Sequence, residues 1–185
     1  MDARRLMTVF SDQKEELLAH DLSLLCDRME EGQLSPSSNL AQIVIGVRRS
    51  GKSTLCEKFI RQQGVEFAYA NFDDDRLTGL ETGDFDRVLD ALYQLYGDFK
   101  YLFLDEVQNI SDENARSQLL TALGDALTHE ETVDVPGGLR IERGLPIAVY
   151  LTGLPEFADM TGARKGATFA RRFRTTTLGA IDDDA

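Results

Sequence analysis

Residues 46–54 read GVRRSGKST and stand between the apolar run AQIVI and LCEKFIRQQ, a stretch whose apolar residues recur at helical spacing. A strand that turns into a helix through glycines leaves backbone N–H groups unpaired at the helix N-terminus, where the helix dipole also favours negative charge. The segment therefore predicts a strand, a socket for phosphate and a helix, in that order.

The rest of the chain continues the alternation. AQIVIG (41–46), VEFAYA (65–70), KYLFLDE (100–106) and PIAVYLTG (146–153) read as buried strands, and FRTTTLGAI (173–181) contains a fifth. Between them, residues 52–63 place Leu55, Cys56, Phe59 and Ile60 on one helical face, with Gly64 as a stop. Residues 84–96 do the same with Phe85, Val88, Leu89, Leu92 and Leu95, closed by Gly97. A further helix runs from Ser111 to about Leu127 on Ala115, Leu119, Leu120, Leu123 and Leu127. Strands separated by helices predict a parallel sheet covered on both faces. Ahead of the first strand, residues 12–30 predict a helix with Asp12 and Glu15 as a capping box and Leu18, Leu22, Leu25 and Met29 on its apolar face. GQLSPSSN (32–39) reads as a linker, which gives an N-terminal helix and linker over 1–39 and a core domain over 40–185. VDVPGGLRIER (133–143) alternates on either side of Pro-Gly-Gly, the pattern of a small hairpin.

At 185 residues and 42% apolar composition the chain can bury one sizeable core. Its 32 acidic and 20 basic residues give a net charge of -12, which disfavours a broad grip on nucleic acid or anionic lipid and leaves only a local basic patch for such contact. No apolar run has membrane length, and the five-residue stretch LMTVF is too short for a signal peptide, so a cytoplasmic protein is expected. Cys26 and Cys56 lack C-x-x-C spacing and read as buried reduced thiols; His20 and His129 read as surface residues.

Gly46, Gly51, Lys52 and Ser53 satisfy G-x-x-x-x-G-K-S/T. In that pattern the glycines let the loop wrap phosphates, the lysine reaches the β and γ phosphates, and the hydroxyl can hold Mg2+. The candidate nucleotide-binding set is Gly46, Arg49, Ser50, Gly51, Lys52, Ser53 and Thr54. Asp105 ends the apolar strand of YLFLDEVQ at the edge where open α/β sheets bind ligands, and with Ser53 it forms the candidate Mg2+ site. Glu106, the next residue, is placed to activate a water for attack on a γ-phosphate. Asp73, Asp74 and Asp75 read either as an extension of the metal site or as a capped surface turn.

GVRRSGKSTL, YANFDDDRL and KYLFLDEVQNI, in this order and spacing, resemble a group of bacterial and archaeal AAA-type ATPases from about residue 40 to 180. The resemblance implies an additional-strand P-loop NTPase fold, a three-layer α/β sandwich with a five-stranded, mainly parallel sheet. Its sensor strand lies between the strands of the phosphate loop and of LDE. It implies Mg-dependent ATP binding and hydrolysis coupled to a conformational or remodelling task, with Lys52 and Glu106 as catalytic groups. Thr152 falls at the sensor position, where a threonine before Gly153 also fits ordinary turn chemistry. Arg171, Arg172 and Arg174 of FARRFR fall where such proteins carry an arginine finger, commonly offered to a neighbouring subunit; a solvated basic helix end is the other reading. Arg172 is the candidate catalytic member. Some relatives use a hairpin before the sensor strand to contact substrate, which would give Arg140 and Arg143 that role; a hairpin covering the core edge is the alternative. The sequence stops at DDDA ahead of the helical lid usual in this superfamily, which leaves two readings, a fragment of a longer chain or a lid supplied by a partner; a second copy of the chain is the other candidate partner. The other functional readings are a nucleotide-dependent switch or scaffold with little hydrolysis and a small-molecule kinase.

Overall fold

β1 (Ala41–Gly46) is buried along its whole length, and the fold is organised around it. The computed structural model describes residues 1–23, 25, 27–37, 40–136, 139–156 and 173–179. After β1 come α2 (Lys52–Gln62), β2 (Phe67–Asn71), α3 (Phe85–Tyr96), β3 (Tyr101–Asp105) and α4 (Glu113–Thr128). The antiparallel pair β4 (Glu130–Val135) and β5 (Leu139–Gly144) follows, then β6 (Ala148–Gly153) and β7 (Phe173–Leu178). The main sheet has the order β2-β3-β6-β1-β7, and every neighbouring pair in it is parallel. β6 thus lies between the phosphate-loop strand and the LDE strand, as the resemblance implied.

Successive side chains of a strand face opposite sides, and here both sides are covered, so the strands read as unbroken apolar runs. Leu102 and Leu104 of β3 join Ile43, Ile45, Val149 and Leu151 under α3, α4 and the N-terminal helix α1 (Ala3–Ala19). Tyr101 and Phe103 turn the other way, to Val44, Tyr150 and the Leu55, Cys56, Phe59 and Ile60 face of α2. The result is a three-layer sandwich. Cys56 is buried and reduced, and Cys26 lies outside the described residues.

The first helix differs from its sequence reading. α1 spans Ala3–Ala19 and buries Leu6, Val9, Phe10, Gln13 and Leu17. Leu18, Leu25 and Met29, expected on its apolar face, are exposed. Two apolar stripes compete in this region, and the earlier one wins because it packs on α3 and β2. Asp12 lies inside the helix and pairs with Arg76 instead of capping. Beyond His20 the chain crosses to the α2 side, where Lys58 bonds Asp27 and lies 3.5 Å from Glu31. Residues 34–37 are pinned as well: the buried Gln42 side chain takes both the N–H and the carbonyl of Ser35 at 2.7 Å, and the Tyr150 hydroxyl donates to the same carbonyl. Leu89 is another departure, since it stands exposed on α3.

Because Phe10 has no exposed surface and sits in the cluster shared with β1, β3 and β6, α1 is part of the core. Phe10→Ala is expected to cost about 3–5 kcal/mol in urea unfolding, read as a lower midpoint at unchanged slope.

The hairpin pairs Val133 with Ile141 and is broader than 133–143, with its tip residues 137 and 138 outside the described set. Ile141 is exposed, and Arg140 pairs with Asp134 across the strands at 3.1 Å.

Candidate functional site

β1 delivers the chain into the phosphate loop at Gly46, where a side chain has no room: a Cβ there would sit 2.7 Å from Ser50 Oγ and 3.0 Å from the Leu178 carbonyl. Gly51 caps α2 from the left-handed region, with φ +83°, and supplies no side-chain cap. The first N–H groups of α2 therefore keep their hydrogen-bonding capacity for something outside the helix. Arg49 also has a positive φ of 64°, uncommon outside glycine. The side chains of Arg48 and Arg49 are exposed, whereas Ser50 and Lys52 are buried.

Lys52, only 3% exposed, is the first residue of α2. Its Nζ donates to the Val47 carbonyl at 3.3 Å and lies 3.5 Å from Glu106 Oε1. Ser53, one residue on, donates to Asp105 Oδ1 at 2.8 Å. Asp105 is buried at the end of β3, and two further hydroxyls converge on it. Thr152 donates to Oδ1 and Tyr69 to Oδ2. Burial pushes the Asp105 carboxyl above the usual carboxylate range; the Thr152 and Ser53 hydrogen bonds oppose that, and the neighbouring Glu106 charge adds to it. Burial, followed by the Asp105 charge, raises the Tyr69 hydroxyl far above its ordinary value, which keeps it a donor.

Glu106 leaves the strand in the left-handed region, at φ 53° and ψ 44°. Its N–H donates to Thr152 Oγ1 at 2.9 Å, and its Oε2 accepts from the side-chain amide of Gln108. The register of β3 against β6 aligns Leu104 with Leu151, so Thr152 follows directly beside Asp105.

Residues 38–128 match the family model described as AAA domain. Residues 38–128 are an AAA domain. No curated protein matches the chain. Among solved structures, the chain is similar to the crystal structure of NtrX from Brucella abortus in complex with ATP, at 16% identity and a TM-score of 0.50. That likeness covers 92% of this chain and 40% of the other, so the chain spans well under half of that protein, and the likeness is one of fold. The phosphate loop, Asp105, Glu106 and Gln108 all fall within the AAA domain. Thr152 lies past its matched end, on a strand the fold nonetheless seats between β1 and β3.

The fold brings together Gly46, Ser50, Gly51, Lys52, Ser53, Asp105 and Glu106 of the AAA domain with Thr152 of β6. It does not bring Arg174, which is exposed near the start of β7, opposite Gln42, whereas the far end of that strand meets Gly46. Arg171 and Arg172 lie outside the described residues. Asp74 caps the short turn Asp75–Leu77 and pairs with Arg76 at 2.9 Å, and Asp73 accepts from Asn109 at 2.6 Å.

The sequence reading missed three residues. Tyr69 bonds Asp105 from β2, Gln108 bonds Glu106, and Arg28 donates to the Ser50 carbonyl at 2.7 Å and to that of Gly179 at 3.3 Å. Arg28 therefore ties the back of the phosphate loop of the AAA domain to the end of β7. Gln108 was visible within the LDEVQ stretch; no spacing rule points to Tyr69 or Arg28, whose partners lie far along the chain.

Among the described residues no group of three or more His, Cys, Asp or Glu side chains converges as a metal cage. The donors present are hard oxygens, Ser53 Oγ against Asp105 Oδ1, beside a lysine at a helix N-terminus. That set fits Mg2+, which takes one or two protein oxygens and completes its shell with phosphate and water. No helix among the described residues is long and apolar enough to cross a membrane.

Proposed function

We propose that this AAA domain binds Mg-ATP and hydrolyses its terminal phosphoanhydride, and that turnover drives a conformational or remodelling step. The observation that carries the reading is the meeting of four groups from two elements: Lys52 and Ser53 from the first turn of α2, Asp105 and Glu106 from the end of β3. The loop amides and the Lys52 ammonium cradle the β and γ phosphates. Mg2+, held by Ser53 with Asp105, would neutralise charge on those phosphate oxygens. Glu106, 20% exposed at the strand end, is open enough to meet a water. It takes a proton as the water oxygen bonds to the γ phosphorus and the bond to the bridging oxygen breaks, leaving ADP and inorganic phosphate. Thr152 and Tyr69 hold Asp105 in place from two other strands. Adenine as the base rests on the AAA likeness and on the ATP found in NtrX.

Titration calorimetry of the whole chain with Mg-ATP, followed by single-turnover phosphate release, tests this. Binding at micromolar to low-millimolar levels with release of phosphate is expected. ATP held unhydrolysed over many minutes would make the protein a nucleotide-dependent switch, and no uptake at millimolar nucleotide would overturn the reading altogether.

A further inference from the structure

We infer that Gln108 is a positioning residue: its side-chain amide holds Oε2 of Glu106 and leaves Oε1 to receive the proton of the attacking water. The inference rests on the hydrolysis reading above and assigns work to the glutamine of LDEVQ, which that reading leaves idle.

The geometry divides the two oxygens of Glu106. Oε1 faces Lys52 Nζ at 3.5 Å, and Oε2 accepts from Gln108 Nε2. Lys52 is the group that must turn to the phosphates when a nucleotide enters, so its hold on Oε1 is given up at that moment. Gln108 has no such second task. Its grip on Oε2 outlasts the Lys52 contact and keeps the carboxylate from swinging away once the ammonium has left. An uncharged donor suits this role, because it orients the carboxylate without permanently pairing its charge, and Glu106 stays able to take a proton.

The backbone that carries Gln108 is itself braced. Residues Val107–Asn109 form a single 3₁₀ turn. Arg116 Nη1, reaching from α4, donates to the Gln108 carbonyl at 2.9 Å and to that of Ile110 at 3.1 Å. Asn109 Nδ2 donates to Asp73 Oδ1 at 2.6 Å. Turning the amide over would set its oxygen against a carboxylate oxygen, so the charge of Glu106 dictates which end faces it. The Gln108 Oε1 that results is buried without a hydrogen-bond partner, as expected where the amide is oriented by its donor end alone.

Gln108→Met keeps the length of the side chain and removes the donor; Gln108→Ala is the second variant should the thioether disturb the turn. In both, kcat for ATP is expected to fall by about 10- to 100-fold while KM and the calorimetric Kd for Mg-ATP stay within about twofold, the signature of a group that acts on the transition state and not on ground-state binding. An unchanged Kd also certifies that the site is folded. Independently of turnover, the Gln108 side-chain amide signals in a 15N–1H spectrum, identified by their loss in Gln108→Met, are expected to shift in Glu106→Ala. Wild-type hydrolysis with kcat unaltered in Gln108→Met, or Gln108 signals indifferent to Glu106→Ala, overturns the inference and leaves the hydrolysis reading standing. A wild-type chain that never releases phosphate overturns both.

Discussion

Glu106→Gln is expected to bind Mg-ATP at least as tightly as the wild type and to release phosphate about 10²- to 10⁴-fold more slowly in a single-turnover assay. Glu106 offers a carboxylate oxygen at the mouth of the site, next to Lys52 and partly open to solvent. Replacing it by the amide keeps the volume and an oxygen for the Gln108 donor, and removes the ability to accept a proton. It also removes the ionic contact with Lys52, so the ammonium no longer has to leave a carboxylate before meeting a phosphate. The two effects have opposite signs on the two measurements, which is what makes the variant informative. Phosphate release within about threefold of the wild type would exclude Glu106 as the proton acceptor.

Lys52→Ala acts on binding. The side chain is 3% exposed and held by the Val47 carbonyl and Glu106, so the ammonium is delivered to the loop already oriented. Its charge-assisted bonds to phosphate in a shielded site are worth about 3 kcal/mol, and calorimetry is expected to show Mg-ATP affinity lowered about a hundredfold. The fold should survive, because Glu106 keeps its bond to Gln108 and its access to water. A Kd within about threefold of the wild type, in a variant that unfolds at the same urea concentration, would remove Lys52 from the phosphate site.

Most of the α/β alternation was legible because both faces of the main sheet are buried. Runs such as YLFLD and AQIVIG then have no polar break, and the glycines at 46, 51, 64 and 97 mark where elements begin and end. The N-terminal helix was misplaced for a reason of the same kind. Leu6, Val9, Phe10 and Leu17 form one helical stripe, while Leu18, Leu22, Leu25 and Met29 form another, and periodicity ranks them equally. Only the surface offered by α3 and β2 chooses between them. In the site, the phosphate loop and the Asp105–Glu106 pair could be read directly, since their chemistry depends on neighbours in sequence. Thr152 was located but not its bonds, which run sideways to Asp105 and to the N–H of Glu106.

The sequence by itself determined that a glycine-rich turn joins a strand to a helix carrying Lys52 and Ser53, and that an acidic pair ends a later buried strand. These are local facts, set by backbone freedom at glycine and by runs of apolar side chains. The place of β6 between those two strands was implied by the family resemblance and by no local pattern, and tertiary structure alone decided that Tyr69 and Thr152 would close on Asp105 from either side and that Arg28 would reach the loop from the N-terminal segment. Such contacts follow from strand order and register, which arise when the whole sheet packs and which no stretch of chain encodes alone.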